Sequence, residues 1–167
     1  MASFEKYAPI LWNLEGGFVD DPDDRGGATN RGITLRTYEG WCRKHGYPRP
    51  TADRLKAMPM ETWERITREL FWDKVGGDEI SDQRVANLIA DWAFNSGLGI
   101  IPRVQALVGT KADGIVGRET LSAINAEDPE RLASDLKRLR TAFYHTLARR
   151  GNNRKYLRGW LARLEKL

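Results

Sequence analysis

The chain has 167 residues, 41% hydrophobic and 30% charged, with 27 Lys/Arg against 23 Asp/Glu and a net charge of +4. This length suits one domain with a real core, with or without a small appended lobe. No apolar run approaches the roughly 20 residues of a membrane span, and Met1-Ala2-Ser3-Phe4-Glu5-Lys6 lacks the basic-then-apolar order of a signal peptide, so folding in a cytoplasm is expected. The single cysteine, Cys42, excludes an internal disulfide, and with only His45 and His145 beside it a zinc cluster is excluded too. His45, after Arg43-Lys44, is expected in solvent, and His145, in a helical pattern, in a structural role.

Phe4, Tyr7, Ala8, Leu11 and Leu14 recur at helical spacing, which predicts an amphipathic helix over 3–15 ended by Gly16-Gly17. Residues 17–34 are rich in Gly, Asp and Thr and predict an irregular β-hairpin or small sheet with tight turns. Helices are expected over 35–45, 51–57 and 60–71, with a loop at Gly46-Tyr47-Pro48-Arg49-Pro50. Val85, Leu88, Ile89, Trp92 and Ala93 mark a strong helix over 82–95, closed by Ser96-Gly97. A helix at 101–108, a turn region at 109–118 and a helix at 119–125 follow. Pro129 opens a long helix to about 150, and Gly151-Asn152-Asn153 separates it from a last one at 154–165. The fold class is therefore α+β, mostly α, with one small β element after the first helix.

Charge is uneven. Residues 1–97 hold 13 basic against 16 acidic side chains, and residues 98–167 hold 14 against 7. From Lys137 to Lys166 there are ten basic residues and one acidic residue, Glu165. Such a segment suits an anionic partner (nucleic acid, a lipid surface or an acidic wall polymer) or is simply a solvated helix face.

Two features near the N-terminus carry chemistry. Glu15 lies eleven residues after Phe4, about three full turns, so it shares the apolar face at the C-terminal end of its helix. Burial and the helix dipole both oppose its ionisation and favour a raised pKa, as a general acid needs; the alternative is an outward glutamate on a frayed last turn. Asp20, Asp21, Asp23 and Asp24 cluster around Pro22. They do not form an EF-hand, because counting from Asp21 puts Arg25 at position 5 and Gly32 at position 12. Most read as turn formers. Asp24 stands apart because it precedes Arg25-Gly26-Gly27, where glycines allow close approach of backbone to a ligand. Two carboxylates so placed are what acid-assisted glycosidic cleavage requires.

The sequences Glu15-Gly16-Gly17-Phe18, Asp24-Arg25-Gly26-Gly27-Ala28-Thr29 and Arg31-Gly32-Ile33-Thr34 resemble the signature of the glycoside hydrolase family 108 muramidases, which are phage and prophage endolysins with a lysozyme-like fold. The resemblance continues in Phe71-Trp72-Asp73 and Asp91-Trp92-Ala93-Phe94-Asn95-Ser96-Gly97. Val104-Gln105-Ala106-Leu107 and the run from Asp113 to Leu121 are similar to that family's peptidoglycan-binding element. The resemblance implies Glu15 as catalytic acid, with Asp24 and Thr29 completing a Glu–Asp–Thr arrangement. Eight residues separate Glu15 from Asp24, as in phage lysozymes, but only four separate Asp24 from Thr29, one fewer than usual. Thr34 is therefore an alternative to Thr29.

A glycan groove needs aromatic faces. Trp72, Trp92, Phe94 and Tyr38 are the candidates, with Trp72 expected exposed beside its glycine loop and Trp92, on a strong apolar pattern, expected in the core instead. Asp91 and Asn95 complete the candidate substrate contacts, and Asn95 either caps its helix or meets an N-acetyl group. Residues 1–100 are expected to form the catalytic region. Residues 101–167, with the peptidoglycan-binding-like element at about 101–126, are expected to be integrated with it in a single domain. The expected activity is an N-acetylmuramidase that cleaves the β-1,4 bond between N-acetylmuramic acid and N-acetylglucosamine. The alternatives are a lytic transglycosylase or a non-catalytic wall-binding protein. A carboxyl separation of about 6.5–9.5 Å would give inversion and about 5–5.5 Å retention. No metal or organic cofactor, no nucleic acid and a monomeric state are expected. The partners are bacterial peptidoglycan and, through the basic C-terminal helices, anionic envelope components; release from the host cytoplasm through a holin is expected.

Overall fold

The computed structural model describes residues 1–20 and 27–167. The chain groups into two compact units, residues 8–70 and residues 1–7 with 71–167. The protein is mostly helical with one small sheet, the α+β class expected.

The smaller unit, 8–70, holds most of α1 (Phe4–Leu14), strands β1 (Phe18–Val19), β2 (Thr29–Asn30) and β3 (Ile33–Thr34), and helices α2 (Leu35–Lys44), α3 (Ala52–Lys56) and α4 (Met60–Thr67). The strands form an antiparallel sheet in the order β1-β2-β3, with Phe18 opposite Asn30 and Thr29 opposite Thr34. The β2–β3 turn has two residues, Arg31 and Gly32, with φ of 45° and 76°. Positive φ at both suits a type I′ turn, whose twist matches that of paired strands. Glycine accepts this freely, whereas Arg31 needs side-chain compensation. Asn30 Nδ2 ties β2 to α3 by donating to the Leu55 carbonyl at 2.8 Å. Leu11, Ile33, Trp41, Leu55, Trp63 and Ile66 are buried in this unit.

Where a continuous helix over 60–71 is expected, α4 instead gives way to one π-helical turn, Arg68–Trp72, and two short 3₁₀ turns, Asp73–Val75 and Gly77–Glu79. The wider turn shifts the phase of the side chains that follow.

The larger unit contains α5 (Gln83–Ser96), α6 (Ile101–Leu107), α7 (Arg118–Ala126), α8 (Pro129–Ala148) and α9 (Leu157–Glu165), with a 3₁₀ turn, Asn153–Tyr156, before the last. The caps have local causes. The Asp82 carboxylate accepts from the amides of Arg84 and Val85, and the Asp128 side chain accepts from Arg131 ahead of Pro129 at the first helical position. The N-terminus is fixed by Ala2 N–H donating to Ile80 O at 2.8 Å and by the Gln83 amide pairing with the Ser3 backbone.

Glu69 organises the surface of the smaller unit. Its carboxylate accepts from Trp41 Nε1 at 2.8 Å, pairs with His45 Nε2 at 2.7 Å and bonds Lys44 Nζ. His45 is thus engaged rather than simply solvated, and His145 lies exposed rather than in a structural setting. Burial alone would push the Glu69 carboxyl up, but the hydrogen bonds from Lys44, His45 and Trp41 outweigh it and hold it at about 2, against an ordinary 4.5. A carboxyl lowered on folding stabilises the fold above its unfolded value, and that contribution fades as pH falls from 4.5 toward 2. Glu69 is 24% exposed, so solvent screening leaves about 1–2 kcal/mol. Urea unfolding of the wild type and Glu69→Gln should show this gap at neutral pH and its loss near the lower end of that window.

Candidate active site

Glu15 lies one residue beyond α1, and its N–H closes the last turn onto Leu11 O at 3.0 Å. Phe4, Tyr7, Ala8 and Leu11 are all buried, so the apolar stripe runs where periodicity puts it. Glu15, next on that stripe, is half-buried, and its Oε1 is shut off from solvent. It stands at a helix C-terminus, where backbone carbonyls lack intrahelical partners.

A clasp in the same unit joins the end of α1 to the β2–β3 turn. The Arg31 guanidinium lies 3.8 Å from the centre of the Trp12 ring, and its Nη1 donates to the Trp12 carbonyl at 3.2 Å. Trp63 packs edge-to-face on Trp12 with ring centres 5.0 Å apart, and its Nε1 donates to the Arg31 carbonyl at 2.9 Å. These contacts hold Arg31 in its left-handed conformation. They also set the sheet that carries Thr29 against the helix that carries Glu15. The sequence pattern did not single out Trp12 or Trp63, and gave Arg31 only as part of a family motif; the available signal was Arg-Gly as a two-residue link between short β-like runs.

The two threonines differ in their engagements. Thr34 caps α2: its hydroxyl accepts from Thr37 N–H at 3.1 Å and shares a 2.9 Å hydrogen bond with Thr37 Oγ1. Thr29 Oγ1 makes a long 3.4 Å contact to the Gly27 carbonyl. Asp24, the expected second carboxylate, lies outside the described residues.

The expected groove aromatics are placed differently from the sequence reading. Trp72 is fully buried, not exposed: it stacks on Tyr7 with ring centres 5.3 Å apart and donates Nε1 to Asp78 Oδ1 at 2.9 Å. The π-helical turn aims it inward, and Gly77 makes room, since a Cβ there would lie 2.2 Å from the ring. Tyr38 is also core, 4% exposed, and burial pushes its hydroxyl pKa up. Trp92 is buried as expected. Phe94 is half-buried, edge-to-face on Phe71 at 4.9 Å. Asn95 is exposed, and its Nδ2 donates to the Asp91 carbonyl at 2.9 Å, closing the end of α5.

Asp91 is 0% exposed and offers no surface to a glycan. Its Oδ2 accepts from Arg140 Nη2 at 2.6 Å, and its Oδ1 from Arg163 Nη2 at 2.6 Å, with Arg163 Nε 3.1 Å from both oxygens. Arg140, 1% exposed, also donates Nε to the Tyr144 hydroxyl at 2.7 Å. A buried carboxylate thus gathers α5, α8 and α9. Its partners lie 49 and 72 residues away, beyond any local pattern.

Residues 8–97 match the family model described as Glycosyl hydrolase 108. The chain belongs to the glycosyl hydrolase 108 family. Residues 100–165 match a second model, described as Predicted Peptidoglycan domain. The solved "Structure of Brucella abortus SagA" is similar: 34% identity, a TM-score of 0.82, and coverage of 98% of this chain and 90% of that one. None of the curated proteins compared matches the chain. This family member is a lysozyme-like glycoside hydrolase that acts on peptidoglycan.

In the part matching the peptidoglycan domain, one side chain orders a loop that has no regular structure. Gln105, 1% exposed, accepts Gly114 N–H at 2.8 Å on Oε1. Its Nε2 is shared among Asp113 Oδ1, the Ile115 carbonyl and Thr120 Oγ1 at 3.0–3.2 Å. The bond from Gln105, with the Ile115 amide, lowers the Asp113 pKa. Gly114 has a φ of 81°, as its turn requires, whereas Gly117 is extended at −111°. Val108, Thr110, Arg118, Glu119, Ser122 and Ala126 line an open groove beside this loop.

Asp91→Asn should destabilise the fold by about 3–5 kcal/mol, because it removes the buried charge that the Arg140 and Arg163 guanidinium groups face. Urea unfolding read by circular dichroism measures the change.

Proposed function

We propose that this enzyme is an N-acetylmuramidase with Glu15 as its general acid. Glu15 donates its proton to the glycosidic oxygen between N-acetylmuramic acid and N-acetylglucosamine. Asp24, ionised, activates water or stabilises the oxocarbenium-like transition state, and Thr29 positions the water. The observation that carries this reading is the setting of Glu15: a half-buried carboxyl at the end of α1, inside the stretch that matches the glycosyl hydrolase family. Partial removal from water at a helix C-terminus suits a group that must hold a proton until it is needed. Thr29 is preferred to Thr34 because the Thr34 hydroxyl is committed to the α2 cap.

In this reading the enzyme serves as an endolysin. It meets the wall after release from the cytoplasm, and residues 100–165 hold it on the polymer it cuts.

Glu15→Gln should lower turnover of purified peptidoglycan by about 10²–10⁴-fold while sacculus binding persists. Mass spectrometry of the wild-type digest should show reducing-end muramic acid; 1,6-anhydro products would instead establish a lytic transglycosylase. The two threonines should separate by readout. Thr29→Ala should slow hydrolysis with little change in melting temperature, and Thr34→Ala should cost about 1 kcal/mol of stability through the lost cap.

A further inference from the structure

The basic C-terminal end forms a two-sided helix whose outer side takes no part in the hydrolytic reading. On its inner side, Trp160 stacks on Tyr144 with ring centres 5.2 Å apart, Arg163 pairs with Asp91, and Leu164 is buried. On the other side, Arg154, Leu157, Arg158, Leu161, Ala162 and Glu165 line a shallow open groove. Leu157, Leu161 and Glu165 recur at four-residue spacing, so they make one stripe along α9.

The charges that reach solvent are fewer and more concentrated than the sequence count implies. Arg140 and Arg163 turn inward onto Asp91. Arg149, Arg150, Arg154, Lys155 and Arg158 are all exposed. Of these, Arg154 and Arg158 line the groove with the half-exposed leucines, and the Lys155 ammonium lies 4.9 Å from the ring centre of Tyr156, which packs on Trp160 at 5.9 Å. Glu165 is the one acidic residue from 137 to 166.

A short apolar strip flanked by arginine and lysine has the chemistry of a helix that lies in a lipid interface. A soluble polyanion such as duplex DNA would be met by charge alone and would have no use for the leucines. Among the described residues no helix is long and apolar enough to cross a membrane, so the contact is with a surface. We propose that the outer face of α9, with Arg154, Lys155 and Arg158, binds the surface of an anionic lipid bilayer. The guanidinium groups meet the headgroup phosphates, and Leu157 and Leu161 reach the acyl boundary.

Cosedimentation of the full chain with vesicles of phosphatidylglycerol and phosphatidylcholine, beside pure phosphatidylcholine vesicles, tests this at low and high salt. Binding is expected on the anionic vesicles only, and should weaken as salt rises. Each basic group near an anionic surface strengthens binding roughly fivefold. The combined change Arg154→Gln, Lys155→Gln and Arg158→Gln should therefore lower affinity by at least about tenfold. Leu157→Ser with Leu161→Ser should lower vesicle binding but leave any capture on duplex DNA unchanged. Circular dichroism checks that each variant keeps its helix content. Wild-type affinity in either variant overturns the proposal, as does binding to duplex DNA as tight as to the anionic vesicles.

Discussion

Removing a carboxylate from water is costly, and much of this protein is arranged around that cost. Asp91 meets it with two arginines drawn from distant helices, so the C-terminal helices are held in place by one buried charge. Glu69 meets it at the surface, with an indole, a lysine and a histidine converging on one carboxylate. Glu15 meets it at the end of an apolar helix, with one oxygen shut off from solvent. The first two carboxylates keep the fold together. The third is the group on which the proposed chemistry turns.

The setting of Glu15 depends on contacts that do no chemistry. Trp12, Arg31 and Trp63 fasten a left-handed arginine turn to the end of α1, so a strained two-residue link becomes a fixed one. Catalytic geometry must hold to a fraction of an ångström, and side chains locked by packing and hydrogen bonds provide that tolerance better than free loops do. The aromatic residues of the smaller unit thus act as a frame for the helix end and the sheet. Few of them are left to form the sugar-facing wall that an aromatic count suggests.

Local pattern was enough to read the helices, the small sheet and the face on which Glu15 lies, because a 3.6-residue period and Gly-rich turns are properties of short segments. Arg118–Ala126 and Leu157–Glu165 end within a few residues of the expected limits. Trp72 could not be read correctly, since its exposure depends on a π-helical turn that breaks the period just before it and on Gly77 clearing space behind its ring. Tyr38 and Asp91 failed as groove residues for another reason. An aromatic ring or a carboxylate suits either a ligand or a core, and the deciding partners of Asp91 come from α8 and α9. Asp24 lies outside the described residues, and its assignment as second carboxylate comes from the sequence.

The loop tied by Gln105 has a consequence of its own. Small wall-facing and secreted modules commonly fix such irregular segments with disulfides or bound metals. Here one neutral amide, sealed from solvent, does the same work for residues 113–115 and the start of α7. No cysteine lies in this stretch, so a reductant has no bond to break at this joint.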